Sequence, residues 1–237
     1  MDRATRKDLK TDKFAVEVEH SLEYAAAHRR QLIGFGGAAV AVVLAVVGFL
    51  YYQDKQHAER QKELGAAMAL IERPVGPAPG TAAMFSTQEE KDKEVAAAMS
   101  AIVEKHPRSD EAVIASSYLA SIAVSQGKAE EAEKHYQFMV EKGGKDLASL
   151  GRFSLAQVYR ASGKDAEAEK LLRDLMDNPT ALVSKEQATL SLARVIGAKD
   201  PAEARKLIEP LQRSSDSSVS QAAIMAMSEL PPAPPGQ

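Results

Sequence analysis

The chain has 237 residues, room for one or two domains, and a net charge of −3, which argues against a nucleic-acid binder relying on a broad basic surface. It has no cysteine, so disulfides, cysteine nucleophiles and thiolate metal sites are excluded while the compartment stays open. Tryptophan is absent, aromatics make up 5% and alanine is abundant, a composition suited to closely packed helices rather than to a sheet.

Residues 1–31 form a polar tail carrying Arg3, Arg6, Lys7, Lys10, Lys13, Arg29 and Arg30. Phe14, Val18 and Leu22 recur every four residues with charges between them. That pattern fits either a short amphipathic helix on the inner leaflet or on a partner, or a plain cytoplasmic stub. Residues 32–52 follow without one charged side chain. A helix of that length rises about 30 Å, the thickness of a bilayer's hydrocarbon core. A cleavable signal peptide has a shorter apolar core, of about 7–15 residues, after a short basic start. No small-x-small cleavage site precedes Gln53, so the segment reads as a retained transmembrane helix. Tyr51 and Tyr52 suit the interfacial belt. Only Lys55, Arg60 and Lys62 are basic in the 20 residues beyond it. The positive-inside rule then places the N-terminus in the cytoplasm and the rest outside, which in a bacterium means an inner-membrane protein with a periplasmic domain. Gly37, Ala41 and Ala45 form a small-xxx-small row, either a contact for another membrane helix or ordinary small-residue usage.

Residues 53–229 show internal repetition. Gly127-Lys-Ala-Glu-Glu-Ala-Glu-Lys134 returns 36 residues later as Gly163-Lys-Asp-Ala-Glu-Ala-Glu-Lys170. Ala202-Glu-Ala-Arg-Lys-Leu-Ile208 continues it, with Ala132, Ala168 and Ala204 in step. Leu119-Ala120 matches Leu155-Ala156, and Ser154-Leu-Ala-Gln-Val-Tyr159 matches Ser191-Leu-Ala-Arg-Val-Ile196. Apolar spacings of three and four give two helices per unit, with Gly127 and Gly163 at the joints. The pattern predicts helices at 54–72 and 88–105 joined by a loop over Pro74–Gly80, then helix pairs at 109–142, 147–177 and 182–213, and a lone helix at 217–229. Pro107 and Pro179 stop second helices, and Pro201 suits a first turn. Gly143-Gly-Lys145 reads as an inter-repeat turn. Residues 230–237 read as a disordered Pro-rich tail.

The period, the small residues at Ala120/Ala156/Ala193 and Ala132/Ala168/Ala204, and aromatics at Tyr136 and Tyr159 resemble tetratricopeptide repeats over about residues 88–213. Ser116 and Arg152 stand where those repeats carry an early aromatic, and the closing proline is displaced at Pro179 and missing near Gly144. The fold this implies is all-α: one N-terminal transmembrane helix, then a tetratricopeptide-like α-hairpin solenoid. The layout of tail, anchor and repeats is similar to the bacterial ancillary subunit of the Sec translocon. That resemblance implies contact with translocon subunits and with periplasmic chaperones.

Nothing in the sequence assembles an enzyme. His20, His28, His57, His106 and His135 are scattered, no His-Glu-x-x-His occurs, and no Gly-rich loop ends in Lys-Ser/Thr. Gly34-Phe-Gly-Gly37 lies inside the apolar segment. His106 and His135 read as polar residues at helix surfaces, and Glu89-Glu90 and Glu130-Glu131 as solvated faces. No catalytic residue, cofactor, metal, nucleic acid or small-molecule substrate is expected. Instead, the resemblance implies a groove lined by the first helix of each pair: Ser117 and Ser121, then Phe153, Gln157 and Arg160, then Leu190 and Arg194. Phe153 and Leu190 are either groove or core residues. The expected function is a membrane-anchored protein–protein interaction scaffold that links protein export to chaperones, with an assembly factor of another cell-envelope complex as the alternative.

Overall fold

The computed structural model describes residues 28–76 and 85–231. The pattern at Phe14, Val18 and Leu22, and all but the start of the Pro-rich tail, lie outside the described residues. Helices carry the described chain, and no strand occurs among those residues apart from one isolated bridge, Val75 to Phe85.

The first helix, α1, runs unbroken over Arg29–Ile71, 43 residues. The sequence pattern had separated an anchor from a helix at 54–72. The two are one because no proline and no glycine pair interrupts Gln53 to Leu64, a run rich in Gln, Lys and Glu. The chain divides into two compact units, Met1–Ala58 and Glu59–Gln237. In the first unit, the apolar stretch of α1 touches nothing that buries it. Val40 is 59% exposed, Leu44 66% and Leu50 56%. Gly37, Ala41 and Ala45 are exposed on it as well.

In the second unit, α2 (Gln88–Lys105) packs on the end of α1. The pairs α3 (Asp110–Ser125) and α4 (Ala129–Lys142), α5 (Lys145–Ala161) and α6 (Asp165–Asp177), and α7 (Lys185–Ile196) and α8 (Pro201–Ile208) follow, and α9 (Ser217–Glu229) closes the chain. Side-chain caps fix most starts: Thr87 for α2, Ser109 for α3, a Ser184/Gln187 capping box for α7 and Asp216 for α9. The expected second helix through residue 213 ends at Ile208, and Glu209–Arg213 continues as a 3₁₀ turn. Pro210 is the reason, since it lacks an N–H and crowds the carbonyl four residues back.

Gly127 and Gly163 turn the first two hairpins at φ of 71° and 73°. Behind each glycine the next amide reaches back five residues: Lys128 N to Ala123 O and Lys164 N to Tyr159 O, both 2.8 Å. Each joint is thus a left-handed glycine cap of the Schellman type, which explains the recurrence of Gly-Lys with a period of 36. The in-step alanines serve contact. Ala120, Ala132, Ala156, Ala168, Ala193 and Ala204 are all 0% exposed, because a larger side chain at any of them would push neighbouring helices apart.

Three apolar clusters run through this unit. Leu64 and Ala67 of α1 meet Val95, Met99 and Ile102 of α2 and Leu119 of α3. Val113, Tyr136, Met139 and Leu155 form the middle cluster. Leu172, Leu175, Leu192, Ile208 and Ala223 lie in the largest, which α9 closes.

Candidate functional site

The first helices of successive hairpins, α3, α5 and α7, carry the seven expected groove residues, and the structure divides them. Phe153 and Gln157 of α5 line one pocket of about 410 Å³. Its other wall comes from the preceding hairpin: Val124 at the end of α3, Gly127 at the joint, and Ala129 and Tyr136 of α4. Ser121 lines a separate, smaller recess of about 210 Å³ with Val95, Tyr118 and Ile122. Ser117 is half-buried and donates its hydroxyl to Ile114 O at 2.6 Å. Ser121 donates to Ser117 O at 3.0 Å, and Ser125 to Ile122 O at 2.8 Å. With these protons used inside their own helix, Ser117, Ser121 and Ser125 have no hydroxyl proton to donate outward.

Leu190 and Arg194 leave the groove set. Leu190 is 6% exposed and belongs to the C-terminal cluster. Arg194 pairs with Glu229 of α9, Nε to Oε2 at 3.2 Å. α9 packs against α7 and supplies Ala223 and Ala226 to the same cluster as Leu190. Phe153 proves to be both core and lining: it is partly buried against the C-terminal cluster and faces the pocket. Gln157 spends one amide proton on Ser191 Oγ at 3.3 Å. Arg160 is exposed and forms no ion pair among the described residues.

Polar pins hold these helices in register. Glu133 of α4 accepts from Lys164 Nζ at 2.8 Å and from the Tyr159 hydroxyl at 3.1 Å. The Lys164 ammonium also stands 5.1 Å from the Tyr159 ring centre. The Lys164 hydrogen bond, with smaller help from Tyr159 and Gln137, holds the Glu133 carboxyl below its ordinary value. Partial burial, followed by the neighbouring Glu133, pushes the Tyr159 phenol up. His135 and His106 are not free surface groups. His135 Nδ1 lies 3.2 Å from Ser116 Oγ, and burial lowers its pKa. His106 Nε2 lies 2.9 Å from Glu63, with its side chain 14% exposed. Both fill gaps between helices, a role their scattered positions in the sequence did not reveal. Among the described residues, no group of three or more His, Asp or Glu is placed to hold a metal.

The repetition of Gly-capped, alanine-packed hairpins decides the family. Residues 34–185 match the tetratricopeptide repeat-like domain. The chain belongs to that family. No curated protein and no solved structure matches it. Tetratricopeptide repeat-like domains are typically non-catalytic modules that mediate protein–protein interaction. Val124, Gly127 and Tyr136 are members of the pocket that the groove expectation missed. A signal existed for Val124. It follows Leu119, Ile122 and Ala123 one step out of their helical phase, and it is 50% exposed.

Proposed function

We propose that the protein is a membrane-tethered scaffold that gathers other proteins at a bilayer surface through its tetratricopeptide repeat-like domain. One observation carries this reading. The helix that presents an uncovered, charge-free apolar length sufficient to cross a membrane also supplies Leu64 and Ala67 to the first repeat core. Tethering raises the local concentration of partners, which offsets the modest affinity of a small groove.

The finer reading is a single-pass inner-membrane protein with a cytoplasmic N-terminus and a periplasmic repeat domain, associated with the protein-export translocon and passing emerging chains to chaperones. The basic bias of Arg29, Arg30 and the preceding tail supports the orientation. The order of tail, anchor and repeats supports the partner. A photo-crosslinker placed at Ala41 of the full chain in living cells, followed by mass spectrometry, tests it. Recovery of translocon subunits supports the reading; recovery solely of another envelope machine removes it and favours an assembly factor for that machine. A reporter fused after Gln237 tests orientation, and a signal from the cytoplasmic face overturns the periplasmic placement.

A further inference from the structure

We infer that the pocket between the α3–α4 joint and α5 receives an apolar side chain from a partner protein's segment that carries a carboxylate beside it, the carboxylate being met by Arg160. The inference rests on the scaffold reading and names the chemistry of its partner.

The pocket is the starting point. Its volume of about 410 Å³ lies in the range of sites that enclose a ligand group, about 300–1,000 Å³. No charged side chain lines it, and Val124, Phe153 and Val158 give it an apolar wall. Of its polar side chains, Gln157 is committed to Ser191 at 3.3 Å, while Tyr136, Ser154 and Ser162 contribute hydroxyls to the lining. An apolar group entering it would shed water against the Val124, Phe153 and Val158 wall.

The charges around it select the partner's sign. Each lining stretch is flanked by charged residues: Lys128 and Glu130 on the α4 side, Arg152 and Arg160 on α5. Arg152 pairs with Asp174 at 3.4 Å, and Lys128 with Glu131 at 3.7 Å. Glu130 lies about 100° round α4 from the lining Ala129, on the side of Glu133, which Lys164 already neutralises. Arg160 differs. At about 100° per residue it shares one stripe of α5 with Phe153 and Gln157, and it is exposed with no ion pair among the described residues. After Glu111, α3 contributes no charge at all along its length. The groove side of α3 and α5 therefore presents an apolar recess beside one uncommitted guanidinium, a group suited to a fork-like grip on a carboxylate.

The full chain, reconstituted in phosphatidylcholine nanodiscs, is panned with a phage-displayed random decapeptide library, and enriched peptides are measured by fluorescence anisotropy. The expected enrichment is Leu, Ile, Met or Phe with Asp or Glu within two positions. Arg160→Glu should turn the acidic preference basic and weaken the selected acidic peptides about tenfold. Ala161→Phe, at an exposed lining position, should fill the recess and weaken every selected peptide about tenfold; Val124→Glu provides a second variant should the first melt early. No enrichment, enrichment without charge preference, or selected peptides indifferent to both Arg160→Glu and pocket filling would each overturn the inference. Should the Arg160→Glu chain still crosslink its cellular partners as the unaltered chain does, this pocket loses its role while the tethered scaffold stands. Should the unaltered chain crosslink no partner, the scaffold reading itself falls.

Discussion

Gly151 provides the sharpest test of how the hairpins are packed. It is buried on α5, where that helix crosses α4. A methyl added there would stand 2.9 Å from Met139 Cβ, 3.2 Å from Val140 N and 3.3 Å from Tyr136 O. Two of those three neighbours are backbone atoms, which cannot swing aside as a side chain does. Gly151→Ala gains about 1 kcal/mol of helix propensity. Against that stands overpacking of about 1–3 kcal/mol. The expected net is a loss of about 1 kcal/mol, or a fall in Tm of about 2–4 °C for a domain of this size. Gly65→Ala is the matched control. Gly65 lies inside α1, and a methyl there meets nothing within 4 Å. Only the propensity gain applies, so Tm should rise by about 2–4 °C. Gly151→Val adds two further methyls to the same contact and should cost more than Gly151→Ala, about 3 kcal/mol. Circular dichroism melts of the full chain in detergent measure all three. If Gly151→Ala raises Tm as Gly65→Ala does, the close α4–α5 crossing is wrong.

Other consequences are open to direct measurement. Leu172 is 0% exposed, so Leu172→Ala should cost about 2–5 kcal/mol in thermal unfolding, whereas Leu182→Ala, at 46% exposed, should change stability by less than about 0.5 kcal/mol. The folded pKa of Glu133 lies below its ordinary 4.5, so the stability it contributes is complete above that value and drains as pH falls through the folded pKa. Glu133→Gln should therefore melt earlier than the unaltered chain at about pH 7, with the gap closing below about pH 4.5; a gap constant across that range refutes the Lys164 pairing. Val42→Arg with Val46→Arg places two charges mid-helix at a combined insertion cost of about 5–7 kcal/mol. The doubly substituted chain should move to the carbonate-soluble fraction of cell membranes, and full retention in the pellet would refute a spanning α1.

What the sequence disclosed and what it hid divide along physical lines. Gly127 and Gly163 were legible because a left-handed cap admits few residues but glycine, so their chemistry recurs in the letters. The alanines were legible for a similar reason, since close helix contact tolerates little else. The union of the anchor with the next helix was not, because the polarity change at Gln53 looks like a boundary although the backbone has no cause to break there. Pro210 was in plain view, yet the apolar spacing around it was the stronger pattern and masked its effect. Of the expected groove residues, Phe153 and Gln157 line a pocket, Leu190 is buried in the C-terminal cluster and Arg194 pairs with Glu229 of α9. Helical periodicity within α9 states which side is apolar but not which earlier helix it will cover.

The end of α1 belongs to the first layer of the repeat stack, so that layer does not begin at the first hairpin. A fragment that begins beyond Ile71 would strip Leu64 and Ala67 from Val95, Met99 and Ile102, and leave those three side chains facing water. A protease that releases the repeat unit intact would have to cut upstream of Arg60, whose guanidinium also holds the buried Glu111 at 3.1 Å. Evolution faces the same restriction: whatever precedes Glu59 can be exchanged only if Leu64 and Ala67 stay as the floor on which the hairpins stand.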